Sequence, residues 1–182
     1  MPCCGAHAYN VRRMNRYVVF SHGKESGPWG AKISAMAEVA RSEGYEVESV
    51  DYRGVDDPQD RVTRLLAFCR EFRGPLVLVG SSLGAHVCTA ASPLLQAAGL
   101  FLIAPAFYMP GYEQLTPKPA ECPMTIVHGW RDEVVPVDHS VRYARQYQAT
   151  LHILDTDHRM HDRIAQINYL FEYFLVSLDK LN

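Results

Sequence analysis

The chain has 182 residues, with 18 Lys and Arg against 20 Asp and Glu for a net charge of −2, and it is 48% hydrophobic and 21% charged. That length fits one domain able to bury a core without disulfide or metal staples, and the near-neutral balance excludes the basic surplus of a phosphate-tracking nucleic-acid binder. No apolar run reaches the ~18 residues of a membrane helix, which speaks against a membrane role, and the apolar content excludes a disordered chain.

Residues 1–16, MPCCGAHAYNVRRMNR, read as a poorly ordered leader. They lack the apolar stretch of a secretory signal, and Met14 offers an alternative start. Arg12, Arg13 and Arg16 read as a solvated part of this leader. Cys3, Cys4 and His7 have no second ligand pair at finger-like spacing, so no metal site is expected. The five cysteines (Cys3, Cys4, Cys69, Cys88 and Cys122) are odd in number and scattered. They suggest no disulfide framework, and the expectation is a reduced, cytoplasmic protein.

Residues 17–182 read as a single domain. Short apolar runs at Tyr17–Ser21, Glu46–Val50, 76–79, 100–103, 125–128 and 151–154 have the length and Val/Ile/Leu content of buried parallel strands. Helical patterns lie between them. Ile33, Met36, Ala37 and Ala40 form one stripe, stopped by Gly44. Val62, Leu65, Leu66, Cys69 and Phe72 form the next, between Pro58 and Gly74. Residues 86–91 continue the alternation, and Val141, Ala144 and Tyr147 make a shorter stripe. The last stripe runs through Ile164, Ile167, Leu170, Phe171, Phe174, Leu175 and Leu178. Strands alternating with helices predict an α/β fold: a three-layer α/β/α sandwich around a mostly parallel sheet of about six strands. Functional groups of such sheets gather just past the carboxyl ends of the strands.

Directly after the run at 76–79 stands Gly80-Ser81-Ser82-Leu83-Gly84. A serine raised on a tight strand-to-helix turn crowds its neighbours, and glycines two residues to either side remove the clashing Cβ atoms. The turn aims the Ser82 hydroxyl outward and frees the next backbone N–H to hold an oxyanion. A plain glycine turn, with Ser81 or Ser82 as N-cap, is the structural alternative. A serine nucleophile needs a base, and the base needs an orienting acid. The segments after the next strands supply both, in His128-Gly129-Trp130-Arg131-Asp132-Glu133-Val134-Val135-Pro136 and Asp155-Thr156-Asp157-His158-Arg159-Met160-His161.

These segments, with Phe20-Ser21-His22-Gly23 and Asp157-His158, give the chain a resemblance over residues 17–178 to the α/β-hydrolases, specifically the small, lidless bacterial serine hydrolases. The resemblance implies a minimal α/β-hydrolase fold and a serine hydrolase acting on a small carboxylic ester or thioester through an acyl-enzyme. It implies Ser82 as nucleophile, Asp132 as acid and His158 as base, with an oxyanion hole from the backbone N–H groups of Lys24 and Leu83. No cofactor and no metal is implied. Two features depart from the family: its two leading strands have no counterpart before Tyr17, and Ala85 stands where a second glycine is common.

Glu133 competes with Asp132, but in extended backbone it faces the opposite side. His161 competes with His158 from the first turn of the final helix. His128 and His152 fall inside strands as satisfied core or edge residues, His86 and His139 fall in helical stretches, and His22 shapes the oxyanion loop. Gly23-Lys24-Glu25-Ser26 lacks the upstream glycine of a phosphate loop, and no G-x-G-x-x-G follows the first strand. Residues 104–121 hold Pro105, Pro110, Pro117 and Pro119, which stiffen the stretch against a helical lid. Trp29, Phe107, Tyr108 and Tyr112 are candidates for a shallow substrate pocket, although aromatics in such a loop also pack it onto the sheet. The partner expected is a small-molecule ester or thioester, with a monomer and a homodimer both left open. The other function class is a binding or scaffold protein that keeps the fold without useful turnover.

Overall fold

The structure, a computed structural model, describes residues 15–180. Residues 1–14, with Cys3, Cys4, His7, Arg12, Arg13 and most of the predicted leader, lie outside the described residues. Asn15 and Arg16 do not behave as a solvated leader. Asn15 Nδ2 donates to Glu46 Oε1 at 2.6 Å, and Arg16 donates to the Glu43 carbonyl at 2.6 Å. Arg16 also pairs with Asp179 and lies 4.3 Å over the Tyr45 ring.

Six strands form one parallel sheet in the order β2-β1-β3-β4-β5-β6. They are β1 (Tyr17–Ser21), β2 (Glu46–Val50), β3 (Leu76–Ser81), β4 (Gly99–Ile103), β5 (Met124–Gly129) and β6 (Thr150–Leu154). Five helices connect and follow them: α1 (Ala31–Ser42), α2 (Pro58–Cys69), α3 (Leu83–Leu95), α4 (Val137–Tyr147) and α5 (Ile164–Asp179). Side chains alternate across each strand, so one chain run feeds two cores. Val18, Phe20, Val77, Val79, Phe101 and Val127 meet α1 and α5 on one face. Val19, Leu78, Leu100, Leu102 and Ile126 meet α2, α3 and α4 on the other. This is the expected three-layer sandwich.

Where helix boundaries differ from the sequence pattern, the cause is local. Helix α3 extends beyond 86–91 and runs through Pro93, which has no N–H to give the Thr89 carbonyl. The Ser92 hydroxyl fills that place at 2.8 Å. Helix α4 buries Ser140, Tyr143 and Ala144, so of the predicted stripe Ala144 lies in the core, Tyr147 packs half-buried against it and Val141 is only half-buried. Tyr143 stacks on Phe107 with ring centroids 4.0 Å apart, and Ser140 bonds His128, so the helix is rotated to bring both inward. Helix α2 starts as expected: Asp57 caps the N–H groups of Gln59 and Asp60, with Pro58 at the first position. Between β4 and β5 the only helical element among the described residues is a single 3-10 turn at Glu113–Leu115, so residues 104–121 form no helical lid.

Candidate active site

The turn from β3 into α3 carries Ser82 with φ 55° and ψ −118°, a strained conformation for a residue with a Cβ. Backbone bonds pin it there. The Ser82 N–H donates to the Ile103 carbonyl at 2.8 Å, and the Ser82 carbonyl accepts from Ala85 and Ala106 at 3.0 and 3.2 Å. The flanking glycines are required by close approach. A Cβ at Gly80 would stand 2.4 Å from Ala85 Cα, and one at Gly84 would stand 2.0 Å from the Ser21 carbonyl oxygen. Leu83 opens α3, where the first N–H groups of a helix have no intrahelical carbonyl to bond.

Two loops at the ends of β5 and β6 meet next to this turn. A Cβ at Gly129 would collide with the Thr156 and Asp157 carbonyls, at 2.4 and 2.8 Å. The Arg131 N–H bonds the Thr156 carbonyl at 3.0 Å. Through this junction His158 Nδ1–H donates to Asp132 Oδ2 at 2.7 Å, and His158 Nε2 stands 3.1 Å from Ser82 Oγ. Ser82, His158 and Asp132 thus form one continuous chain of hydrogen bonds. Glu133 is exposed, while the Asp132 side chain is fully buried. His161 lies exposed in a 3-10 turn (His161–Arg163) ahead of α5 rather than within it.

The Asp132 carboxylate is saturated. Oδ1 accepts the N–H groups of Val134 and Val135 at 2.9 and 2.8 Å, and Oδ2 accepts from His158 and lies 3.0 Å from His128 Nε2, whose N–H also bonds the Val135 carbonyl at 3.0 Å. Burial alone would push this carboxyl up, but the bonds from His128, His158 and Val135 outweigh it and hold the group well below the usual carboxylate range. His128 is a buried, satisfied strand residue as its place in β5 predicts, with Nδ1 2.6 Å from Ser140 Oγ. Its contact with the acid is not visible in the sequence. The one available signal was the four-residue spacing from Asp132 across a turn. Lys32, at the start of α1, donates to the Arg159 carbonyl at 3.3 Å and so ties α1 to the loop that bears His158. Burial lowers the Lys32 ammonium to about 8, against the pull of Asp157 and Asp132.

The loop after β1 lies against the elbow: a Cβ on Gly23 would be 3.5 Å from Ser82 Cβ. His22 is fully buried beneath it, its Nδ1–H donating to the Gly23 carbonyl at 2.7 Å and its Nε2 accepting the Tyr52 N–H at 2.9 Å. Burial pushes this imidazole down, in keeping with the neutral tautomer those two bonds define. Lys24 follows on the surface.

The four aromatic pocket candidates divide. Trp29 and Tyr112 are 46% and 65% exposed, free to meet a ligand. Phe107 and Tyr108 are not wall residues. Phe107 is buried against Tyr143, and Tyr108 is covered by Arg142, 4.0 Å over its ring, with its hydroxyl donating to Gln146 at 3.0 Å. Burying both rings on α4 removes more apolar area from water than leaving them in an open groove. Trp130 and Val134, two residues either side of Asp132, are exposed apolar residues that periodicity did not single out. Among the described residues no group of three or more metal-ligating side chains comes together.

Residues 18–175 match the model of the alpha/beta hydrolase family, and the chain belongs to that family. A Xanthomonas campestris pv. campestris protein assigned to the alpha/beta hydrolase superfamily is 32% identical, with a TM-score of 0.84 over 90% of this chain and 99% of that one. Two others share the fold at lower identity. Est1E from Butyrivibrio proteoclasticus has a TM-score of 0.81 at 17% identity over 94% and 91% of the two chains. A lidless α/β serine hydrolase from Xanthomonas campestris has 0.70 at 21% over 91% and 84%. Comparison with curated proteins by sequence finds no match. No helix among the described residues is long and apolar enough to cross a membrane.

Proposed function

We propose that this protein is a serine hydrolase that cleaves small carboxylic esters or thioesters by way of an acyl-enzyme on Ser82. The observation that carries the reading is the unbroken chain Asp132–His158–Ser82, with contacts of 2.7 and 3.1 Å. A serine hydroxyl attacks poorly while it keeps its proton. His158 Nε2 takes that proton as Ser82 Oγ bonds the carbonyl carbon, and Asp132, held ionised by its hydrogen bonds and the neighbouring His128, stabilises the imidazolium that results. The N–H groups of Leu83 and Lys24 receive the negative oxygen of the tetrahedral intermediate. His158 then returns the proton to the departing alcohol or thiol. Water, deprotonated by the same imidazole, attacks the acyl-enzyme and releases the acid and the free serine. The scattered cysteines fit a reducing cytoplasm as the setting.

The substrate is small at its acyl end. Residues 104–121 form no helical cover, and with Phe107 and Tyr108 buried only Trp29 and Tyr112 of the expected aromatics can shield a chain. Each methylene adds about 0.8 kcal/mol of binding only while it leaves water. Hydrolysis of p-nitrophenyl esters of increasing length tests this, with kcat/KM peaking at about two to six acyl carbons and all turnover lost in Ser82→Ala. A maximum at about twelve carbons or beyond contradicts the open site, and turnover surviving in Ser82→Ala contradicts the nucleophile.

A further inference from the structure

We infer that Arg61, on α2 and outside the triad, is a positioning residue that fixes the oxyanion hole by holding the Gly23–Lys24 peptide in one orientation. The inference rests on the proposed role of Ser82. Arg61 is a charged residue only 1% exposed, and no carboxylate lies within ion-pair distance of it among the described residues. Burying an unpaired guanidinium is costly unless its donors are used. They are spent on main-chain carbonyls: Nε donates to Val55 at 2.6 Å, and Nη1 is shared between His22 and Gly23 at 3.3 and 3.4 Å. The ring of Tyr52 lies 5.1 Å below the charge.

The Gly23 carbonyl therefore accepts two donors from the interior, the guanidinium of Arg61 and Nδ1–H of His22. In a planar trans peptide the carbonyl and the following N–H point in opposite directions. A Gly23 carbonyl drawn inward turns the Lys24 N–H outward, on a peptide whose glycine lies against Ser82. Glycine at this position would otherwise let the peptide flip freely. Arg61 removes that freedom, and its buried charge further favours an anion on the opposite side of the peptide.

The test compares wild type, Arg61→Met and Arg61→Lys on p-nitrophenyl acetate and its thionoester, whose sulfur accepts N–H bonds poorly. Arg61→Met loses ~10²–10³ in kcat on the oxygen ester, the scale of one missing oxyanion donor, with KM within about threefold. Its oxygen-over-sulfur preference falls by about tenfold or more. A role confined to stability lowers both substrates together, so an unchanged preference overturns the inference. If Arg61→Met does not fold, judged by circular dichroism, Arg61→Lys decides. It keeps the charge but not the planar fork. A reduced preference supports the inference and an unchanged one overturns it. Absence of Ser82-dependent turnover in wild type refutes the Ser82 reading and this inference with it. Ser82-dependent turnover with unaltered preference in the folded Arg61 variants refutes this inference alone.

Discussion

Gly84→Ala probes the joint between the elbow and the oxyanion loop. The new methyl would meet the Ser21 carbonyl oxygen at 2.0 Å, the Ser21 carbonyl carbon at 2.5 Å and the His22 oxygen at 2.7 Å. All three are backbone atoms of the segment leaving β1, so no side chain can rotate away. Real Cβ contacts essentially never fall under 3.0 Å, which means that α3 and the end of β1 must part by about 1 Å. Overpacking of this kind costs about 1–3 kcal/mol. At about 2–4 °C per kcal/mol for a domain of this size, Tm drops by about 2–12 °C. The kinetic cost is larger, because the displacement separates Ser82 on one side from the loop at Gly23 and Lys24 on the other. A misplacement of about 1 Å is worth about 10²-fold in kcat. Differential scanning calorimetry and ester turnover measure both, with Gly27→Ala, where nothing lies within 4 Å of the added methyl, as the thermal control. A Gly84→Ala protein with unchanged Tm and kcat would refute the packing of the elbow on the first strand.

His158→Ala lowers kcat by about 10⁴ or more while His161→Ala, altering an exposed turn, leaves most activity; equal losses in steady-state assays would unseat His158 as base. Asp132 also links stability to pH. Its folded carboxyl is held below the ordinary unfolded value of about 3.9, so its contribution is complete above that value and is lost as pH falls through the folded one. Urea melts should therefore show the gap between wild type and Asp132→Asn widest near neutrality and closing below about pH 4. A gap that stays constant into acid would count against the hydrogen-bonded cradle around Asp132.

Much of this was legible because it depends on short-range pattern. Strand runs such as Tyr17–Ser21 and Glu46–Val50 are bounded by turn residues, and Gly80-Ser81-Ser82-Leu83-Gly84 carries its own steric reason, which the 2.0 and 2.4 Å approaches express. What sequence could not show depends on packing between distant elements. Phe107 and Tyr108 looked like pocket aromatics because their loop follows a strand end, yet Tyr143, more than thirty residues on, gives them an apolar surface to cover. His128 has the signature of a core residue and is one, but the turn after β5 folds Asp132 back onto it. Arg61 reads as one more charge on an amphipathic helix. Only the tertiary structure places its guanidinium under the loop after β1, where carbonyls replace water around it. Arg16 differs from a solvated leader for the same reason, its partners lying on β2's entry and at the end of α5.

Rapid acid quench of the enzyme with p-nitrophenyl acetate, followed by intact and peptide mass spectrometry, tests the central claim most directly. The prediction is a transient mass increase of one acetyl group during turnover, located on Ser82 and absent in Ser82→Ala, with its decay slowed in His158→Ala if any adduct forms there at all. Turnover with no covalent adduct, or an adduct carried by Ser81 or another residue, would contradict a nucleophilic Ser82 activated by His158 and Asp132.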